Sequence, residues 1–325
     1  MIAPNSQIAA PLKAVISPPV VCIVGPTGSG KSALALSLAR CLNGVIVNCD
    51  SLQVYRGFDV GTAKPSLAER SAVEHHLIDI ADPSEEFTAG EFARRARQTI
   101  PAINDRGVLP VVAGGTGFYL KALIDGLAEI SQRDPEIRKR LIRLEEHRAG
   151  SLHRILKCWD PAAAHRIHSS DSQKLVRALE VILLERQPLT RLYEKPRAAS
   201  SEFRVFQVGL NPPRAALYAR LDARAKAMFE GGLMDEVRGL LARGVPPTAK
   251  PFGAIGYKQA LAVLQGSLEP AAALAETQRD TRRYAKRQWT WFRRDPRIHW
   301  LPEFGDSPYT HRKVVDFLYK RLFWY

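Results

Sequence analysis

Apolar β-branched runs alternate with helix-forming stretches over the first third of the chain. Val20-Val21-Cys22-Ile23-Val24 is a continuous apolar run, as a strand buried on both faces of a parallel sheet requires. Ala33–Ala39 follows with strong helix formers. Gly44-Val45-Ile46-Val47-Asn48-Cys49 is a second strand ending at Asp50, and His76–Ile80 reads as a third. Thr88-Ala89-Gly90-Glu91 is a capping box opening a helix with Phe92, Ala96, Ile100 and Ile103 on one face. Leu109–Ala113 is a further strand, closed by Gly114-Gly115-Thr116-Gly117 and followed by a helix from Phe118 to Leu127. This alternation predicts an α/β fold with a doubly wound parallel sheet and ligands at the carboxyl ends of its strands. Those ends carry Asp50 and the Gly114–Thr116 turn, which should face one another across one crevice.

The strand signal stops after residue 127. Asp134–His147, Ser151–Cys158 and Ser172–Arg186 read as helices dense in Arg and Lys, and Pro188, Pro196 and Ala198–Ser201 mark their exit. Residues 128–202 therefore read as a helical insertion. Phe203–Leu210 returns as a strand, and the remainder reads as helical. The predicted organisation is a flexible tail over 1–19, a core from 20–127 and 203–325, and the insertion between. In the long helix from about Pro270 to Arg294, Tyr284, Ala285, Gln288, Trp291 and Phe292 form one stripe, read as packing.

Charge adds a partner to this picture. The 325 residues carry a formal net charge of +14, which points to a polyanion, either nucleic acid or an anionic membrane surface. Eight basic against three acidic residues between Glu276 and Arg297 mark one contact surface. Cys22, Cys41, Cys49 and Cys158 include no C-x-x-C pair, which argues against a zinc site or disulfide framework and fits a reducing cytoplasm. No apolar run approaches the roughly 18 residues that a membrane helix needs.

The most specific chemical signal is Gly25-Pro26-Thr27-Gly28-Ser29-Gly30-Lys31-Ser32, a complete G-x-x-x-x-G-K-S loop between a strand and a helix. Glycines turn backbone N–H groups around an anion, and the helix N-terminus adds its positive dipole end. Lys31 adds a full charge, and the Ser32 hydroxyl can ligate Mg2+. The fold is thus P-loop NTPase-like and binds a di- or triphosphate. The default use is nucleotide hydrolysis or phosphoryl transfer. Yet such enzymes usually end an apolar strand in an acidic metal-holding residue, and the strand after Leu109 ends in Gly114-Gly115. Asp50, within Cys49-Asp50-Ser51-Leu52-Gln53-Val54-Tyr55-Arg56, could be a metal ligand, a general base or a loop-capping residue.

Several further segments stand in order with the loop: Asp50–Gly57, Asp59-Val60-Gly61-Thr62-Ala63-Lys64-Pro65, His75–Asp79, Gly114–Leu120 and Arg177–Val181. Ala254-Ile255-Gly256-Tyr257-Lys258 and Tyr284-Ala285-Lys286-Arg287-Gln288 complete the series. From about residue 20 to 300 the chain resembles the bacterial tRNA dimethylallyltransferases (tRNA isopentenyltransferases). Gly28 stands where many members have Ala, and Ser32 where many have Thr; both keep the chemistry.

The resemblance implies transfer of a dimethylallyl group from dimethylallyl diphosphate to the exocyclic amine of the adenosine 3′ of the anticodon. Gly25 to Ser32, with Mg2+ on Ser32, would cradle diphosphate as a leaving group, and Arg224 would clamp it. Lys31 and Arg224 then assist catalysis, and Asp50 becomes the candidate base. Asp50, Ser51, Leu52, Gln53 and Thr116 match tRNA-contacting positions. So do Arg138, Gln173, Lys174, Leu175, Val176, Arg177, Gly253, Ala254, Ile255, Gly256, Tyr257 and Lys258. The implied partner is the anticodon stem-loop of tRNA, met by a cytoplasmic monomer with no membrane contact. The alternatives are a P-loop kinase or ATPase acting on small molecules, and an RNA-binding module with a vestigial loop.

Overall fold

The computed structural model describes residues 17–128, 130–194 and 202–322; residues 1–16 of the tail expected over 1–19 and the Pro196–Ser201 exit lie outside them, and Pro19 belongs to the first strand. Six strands form one parallel sheet: β1 (Pro19–Val24), β2 (Gly44–Asn48), β3 (His75–His76), β4 (Leu109–Ala113), β5 (Arg204–Leu210) and β6 (Ile298–Leu301). Their order is β3-β2-β4-β1-β5-β6. The β1 strand thus stands where the winding reverses, with β4 on one side and β5 on the other, the place where such sheets open a ligand crevice.

Register aligns the strand ends. Ile23 pairs with Ala113, Asn48 pairs with the same Ala113, and Val24 pairs with Gly209. The residues after Val24, Asn48 and Ala113 therefore leave the sheet side by side. Beneath them, Val21 and Ile23 pack with Leu34, Ala35 and Leu38 of helix Lys31–Cys41 and with Val314 and Leu318 of helix Pro308–Leu322.

Two expectations need correction. The third strand is only two residues long, because Leu77 (φ 57°) and Asp79 (φ 55°) adopt the left-handed region and cannot continue a ladder. The backbone there bonds elsewhere: Asn48 Nδ2 donates to Leu77 O at 2.8 Å, and Asp79 N donates to Gln53 O at 3.2 Å. The C-terminal part is not wholly helical either, since β6 adds an edge strand against β5.

The chain divides into two compact units, one comprising residues up to Ile124 and from Ser200 onward, the other Asp125–Ala199. The first holds the sheet. The second contains helices Pro135–His147, Ser151–Trp159, Pro161–Arg166, Ser172–Glu185 and Leu189–Glu194, and its core includes Leu152, Leu156, Leu175, Val176 and Leu179.

One contact sets the spacing of the strand ends. Cys49 N donates to Ala113 O at 2.9 Å, and Thr116 N donates back to Cys49 O at 3.3 Å. Between them sits Gly114, where a side-chain carbon would lie 2.0 Å from Cys49 O. Backbone cannot yield there as a flexible side chain would. Gly114→Ala should therefore destabilise the protein by about 2 kcal/mol or more, read as a lower denaturant midpoint. Gly253→Ala should stay within about 0.5 kcal/mol, because nothing lies within 4 Å of the added carbon.

Candidate active site

The phosphate loop spans the end of β1 and the start of helix Lys31–Cys41. Gly25 (φ 141°), Gly28 (φ 76°) and Gly30 (φ 89°) take the conformations that let the backbone fold back on itself. Around Gly30 the fit is tight, since a side-chain carbon would meet Gly305 N at 2.8 Å. Lys31 Nζ donates to Pro26 O at 2.8 Å, so the lysine is folded along the loop. Burial lowers its pKa to about 8, with Asp50 acting in the opposite direction and Arg224 adding to the fall. Ser29 is fully buried, and its N–H donates to Pro26 O at 3.3 Å. A cavity of about 80 Å³ beside Ser32 is lined in part by Asn48, Gln53 and Lys64 and by Ala35, Ile46 and Ile78.

Asp50 begins the loop after β2. Its Oδ1 accepts from Leu52 N at 2.9 Å and Gln53 N at 3.4 Å, an Asx turn that fixes the carboxylate. Thr116 reaches across from the turn after β4: its Oγ1 accepts from Ser51 N at 3.0 Å and donates to Ser51 Oγ at 3.4 Å. The charge of Asp50 is felt at Lys31, Arg224 and Tyr284, so loop, carboxylate and guanidinium lie near one another. Burial pushes the Arg224 guanidinium below its ordinary range, partly offset by Asp50. Burial, then the charge of Asp50, pushes the Tyr284 phenol above its own.

Gln288, read from the sequence as part of a packing stripe, has a second role that the sequence did not disclose. Buried on helix Pro270–Phe292, it accepts from Thr27 N at 2.7 Å through Oε1 and donates from Nε2 to Gly115 O at 2.8 Å. One side chain thus ties the phosphate loop to the turn that carries Thr116 and holds the loop in its conformation. The signal was present: a lone amide inside an apolar stripe must satisfy its hydrogen bonds somewhere.

Side chains also hold the 58–65 segment. Gln53 Nε2 donates to Thr62 O (3.2 Å) and Ala63 O (3.4 Å), leaving Oε1 as the atom not so engaged. Arg224 donates to Thr62 O at 3.5 Å. Lys64, its side chain 1% exposed, donates to Asp59 Oδ1 (2.5 Å), Asp79 Oδ1 (2.6 Å) and Tyr55 O (2.8 Å). Glu236 Oε2 accepts from Asp59 N and Val60 N, while Tyr257 donates to Glu236 Oε1 and accepts from Gly61 N. Tyr257, expected to contact tRNA, is instead fully buried against Phe58. Within the same segment Gly253 and Lys258 are exposed, Lys258 paired with Asp280 at 2.8 Å; Ala254 and Ile255 are half-buried and Gly256 is buried.

The second unit assembles its own cationic group. Glu180, fully buried, accepts from Arg138 at 3.1 Å and Arg177 at 2.8 Å through Oε2, and from Asp134 N at 2.8 Å through Oε1. Gln173 and Lys174 are exposed. Leu175 and Val176, also expected at tRNA-contacting positions, are core side chains, because the helix turns them inward.

Comparison with known proteins yields a consistent set. The IPP transferase family pattern matches residues 53–295. A tRNA dimethylallyltransferase of Solibacter usitatus is 54% identical over 304 residues, covering 94% of this chain and 99% of that one. One from Koribacter versatilis is 49% identical over 291 residues, covering 89% and 94%. The crystal structure of a tRNA isopentenylpyrophosphate transferase from Bacillus halodurans superposes with a TM-score of 0.70 at 37% identity, covering 94% and 96%. A eukaryotic dimethylallyltransferase caught acting on tRNA gives a TM-score of 0.79 at 27% identity, covering 94% and 80%.

Gln288→Met keeps the length of the side chain but strands a part-buried donor, Thr27 N, and a buried acceptor, Gly115 O. It should cost about 2–4 kcal/mol in denaturant unfolding and weaken inorganic diphosphate binding about tenfold in calorimetry. The position of Lys31 carries a pH signature. Below about 8 the ammonium is already charged, whereas above it the binding of an anion must recruit a proton. Diphosphate affinity should therefore fall as pH rises through about 8, and Lys31→Arg should remove that limb from the calorimetric profile.

Proposed function

Because this chain belongs to the IPP transferase family, we propose that it transfers the dimethylallyl group of dimethylallyl diphosphate to tRNA, at the exocyclic amine of the adenosine 3′ of the anticodon, releasing diphosphate. The observation that carries the chemistry is the state of Asp50. One carboxylate oxygen is locked by two backbone N–H groups, and the other is left for a proton, close to Lys31 and Arg224. Locking the first oxygen aims the second.

The adenine amine is a weak nucleophile because its lone pair is delocalised into the ring. As its nitrogen bonds to the allylic carbon, the C–O bond to diphosphate breaks and Asp50 takes the amine proton. Such base assistance is worth about 10²–10⁴ in rate. The leaving diphosphate gains charge as the bond breaks. Loop N–H groups, Lys31 and Arg224 stabilise that charge, with the lysine exchanging Pro26 O for a phosphate oxygen. Thr116 keeps Ser51, and so the Asx turn, in place.

Mg2+ fits the loop as a partner of the substrate. Ser32 offers a hydroxyl, a hard oxygen donor of the kind this ion prefers, beside a cavity also lined by Asn48, Gln53 and Lys64. Among the described residues no group of three or more His, Cys, Asp or Glu could hold a metal without the substrate. The ion would supply further charge neutralisation on the diphosphate. Arg138 and Arg177 of the second unit serve the RNA backbone, and within the first unit the exposed basic residues of helix Pro270–Phe292 do the same. The enzyme acts as a cytoplasmic monomer; no helix among the described residues is long and apolar enough to cross a membrane.

Incubation with labelled dimethylallyl diphosphate or labelled ATP, with and without tRNA, separates this reading from a kinase or ATPase. Prenyl label should move to RNA only, and hydrolysis of ATP with no prenyl transfer would overturn the proposal. Asp50→Asn keeps the turn but removes the base, and should slow single-turnover prenyl transfer by about 10²-fold or more while diphosphate affinity changes little.

A further inference from the structure

The segment between β6 and helix Pro308–Leu322 runs against the phosphate loop. Gly305 N donates to Ser29 O at 2.8 Å. The two backbones approach so closely that a side-chain carbon on Gly305 would lie 2.4 Å from Gly30 O. Thr310, 1% exposed, fixes the segment to the helix that follows, its Oγ1 donating to Phe304 O at 2.9 Å. A cavity of about 550 Å³ borders Gly305, Asp306 and Ser307, so packing alone does not hold this stretch in place.

Helix Arg214–Glu230 touches the same loop. A side-chain carbon on Gly28 would lie 2.6 Å from Leu221 Cδ2. Arg220, the neighbour of Leu221, stands one turn before Arg224 on that helix. Its guanidinium meets both oxygens of Asp306, Nη1 to Oδ1 at 3.1 Å and Nη2 to Oδ2 at 2.7 Å. It also lies 5.0 Å from the centre of the Phe304 ring. Loop, helix and the 302–307 segment thus form a triangle of three contacts. Two of its sides are steric, and the third is this fork of charge. A pair 41% exposed at each end adds little to stability, but a two-bond fork still fixes distance and direction.

We propose that Asp306 is a positioning residue for the diphosphate site. Through Gly305 its segment supports the phosphate loop, and through Arg220 it orients the helix that carries Arg224. Loop and clamp thereby keep the separation that one diphosphate spans. This role rests on the reading above, in which the loop and Arg224 hold diphosphate as the leaving group, and adds to it a residue that acts only through its neighbours. Charge alone predicts the opposite sign. An acidic group near an anion site repels the anion, so its removal should tighten binding, whereas a lost positioning contact must weaken it.

The test uses the full-length enzyme with inorganic diphosphate and Mg2+ in calorimetry, and steady-state kinetics beside it. Asp306→Ala should bind diphosphate about tenfold more weakly, with the KM for dimethylallyl diphosphate raised by about the same factor. Its KM for tRNA and its denaturant midpoint should stay at the wild-type values. Arg220→Ala should show a comparable loss, and the double variant should lose no more than either single one. Asp306→Glu, which keeps the carboxylate, should regain most of the affinity. The role is overturned if Asp306→Ala binds diphosphate as tightly as the wild type or more tightly, if the two losses multiply, or if the midpoint falls together with the affinity. A wild type that binds diphosphate but transfers no prenyl group would instead fail the underlying reading, since the calorimetry would still test Asp306.

Discussion

Where β2 and β4 end, a carbonyl oxygen of one strand presses on the α-carbon of the other, and only a residue without a side chain permits it. The approach of Cys49 and Gly114 sets the distance between the two loops that follow. Because that distance is short, Thr116 can hydrogen-bond Ser51 and Gly115 O can be reached by Gln288. Widening the gap by the volume of one methyl group would undo both. The carboxylate, the phosphate loop and the glycine turn are thus one construction, set by backbone contact before any side chain takes part.

The long helix Pro270–Phe292 braces this construction from outside the sheet. Arg282 pairs with Asp222 at 2.5 Å, and Gln278 donates to Asp222 O at 3.2 Å, which couples the brace to the helix that carries Arg224. Gln288 then passes the same support to the loop. On the other flank Lys64 gathers two carboxylates. Burial raises the pKa of Asp79, but hydrogen bonds from Lys64 and Arg70 outweigh it and hold the carboxyl below its ordinary range. A buried ammonium is costly alone and tolerable when fully paired, and Lys64 meets that condition.

The parts legible in the sequence are those encoded by neighbours along the chain. The apolar run Val20–Val24, the G-x-x-x-x-G-K-S loop and the N-cap at Thr88 are local signals, and the sheet and its helices follow from them; the full capping box expected there does not form, because Glu91 gives its carboxylate to Arg94 and Arg95. The alternatives for Asp50 were not separable at that level; the structure shows its Oδ1 capping the turn, a use that leaves Oδ2 free. What escaped depends on partners far apart in sequence. Gln288 and Thr27 are 261 residues apart, and Tyr257 meets Glu236 and Gly61 only after folding. His76–Ile80 has strand-like composition, but tertiary hydrogen bonds to Leu77 and Asp79 override it. The β6 strand is four residues long with His299 exposed, too short for a periodicity to register. Leu175 and Val176 show the limit of carrying roles over by resemblance, since a matched position need not present its side chain.

Glu180 has a consequence beyond the helices it joins. One carboxylate with no exposure to water grips two guanidinium groups that remain partly exposed. Arginines on a surface ordinarily sample many rotamers, and ordering them on a ligand costs about 0.5–1.5 kcal/mol apiece. Here that ordering has happened during folding. The pair presents two positive charges at fixed separation, rigid like a printed stamp, and a polyanion whose phosphates match the spacing meets a surface that need not rearrange. An acidic residue closed off from solvent thus sets where both guanidinium groups stand.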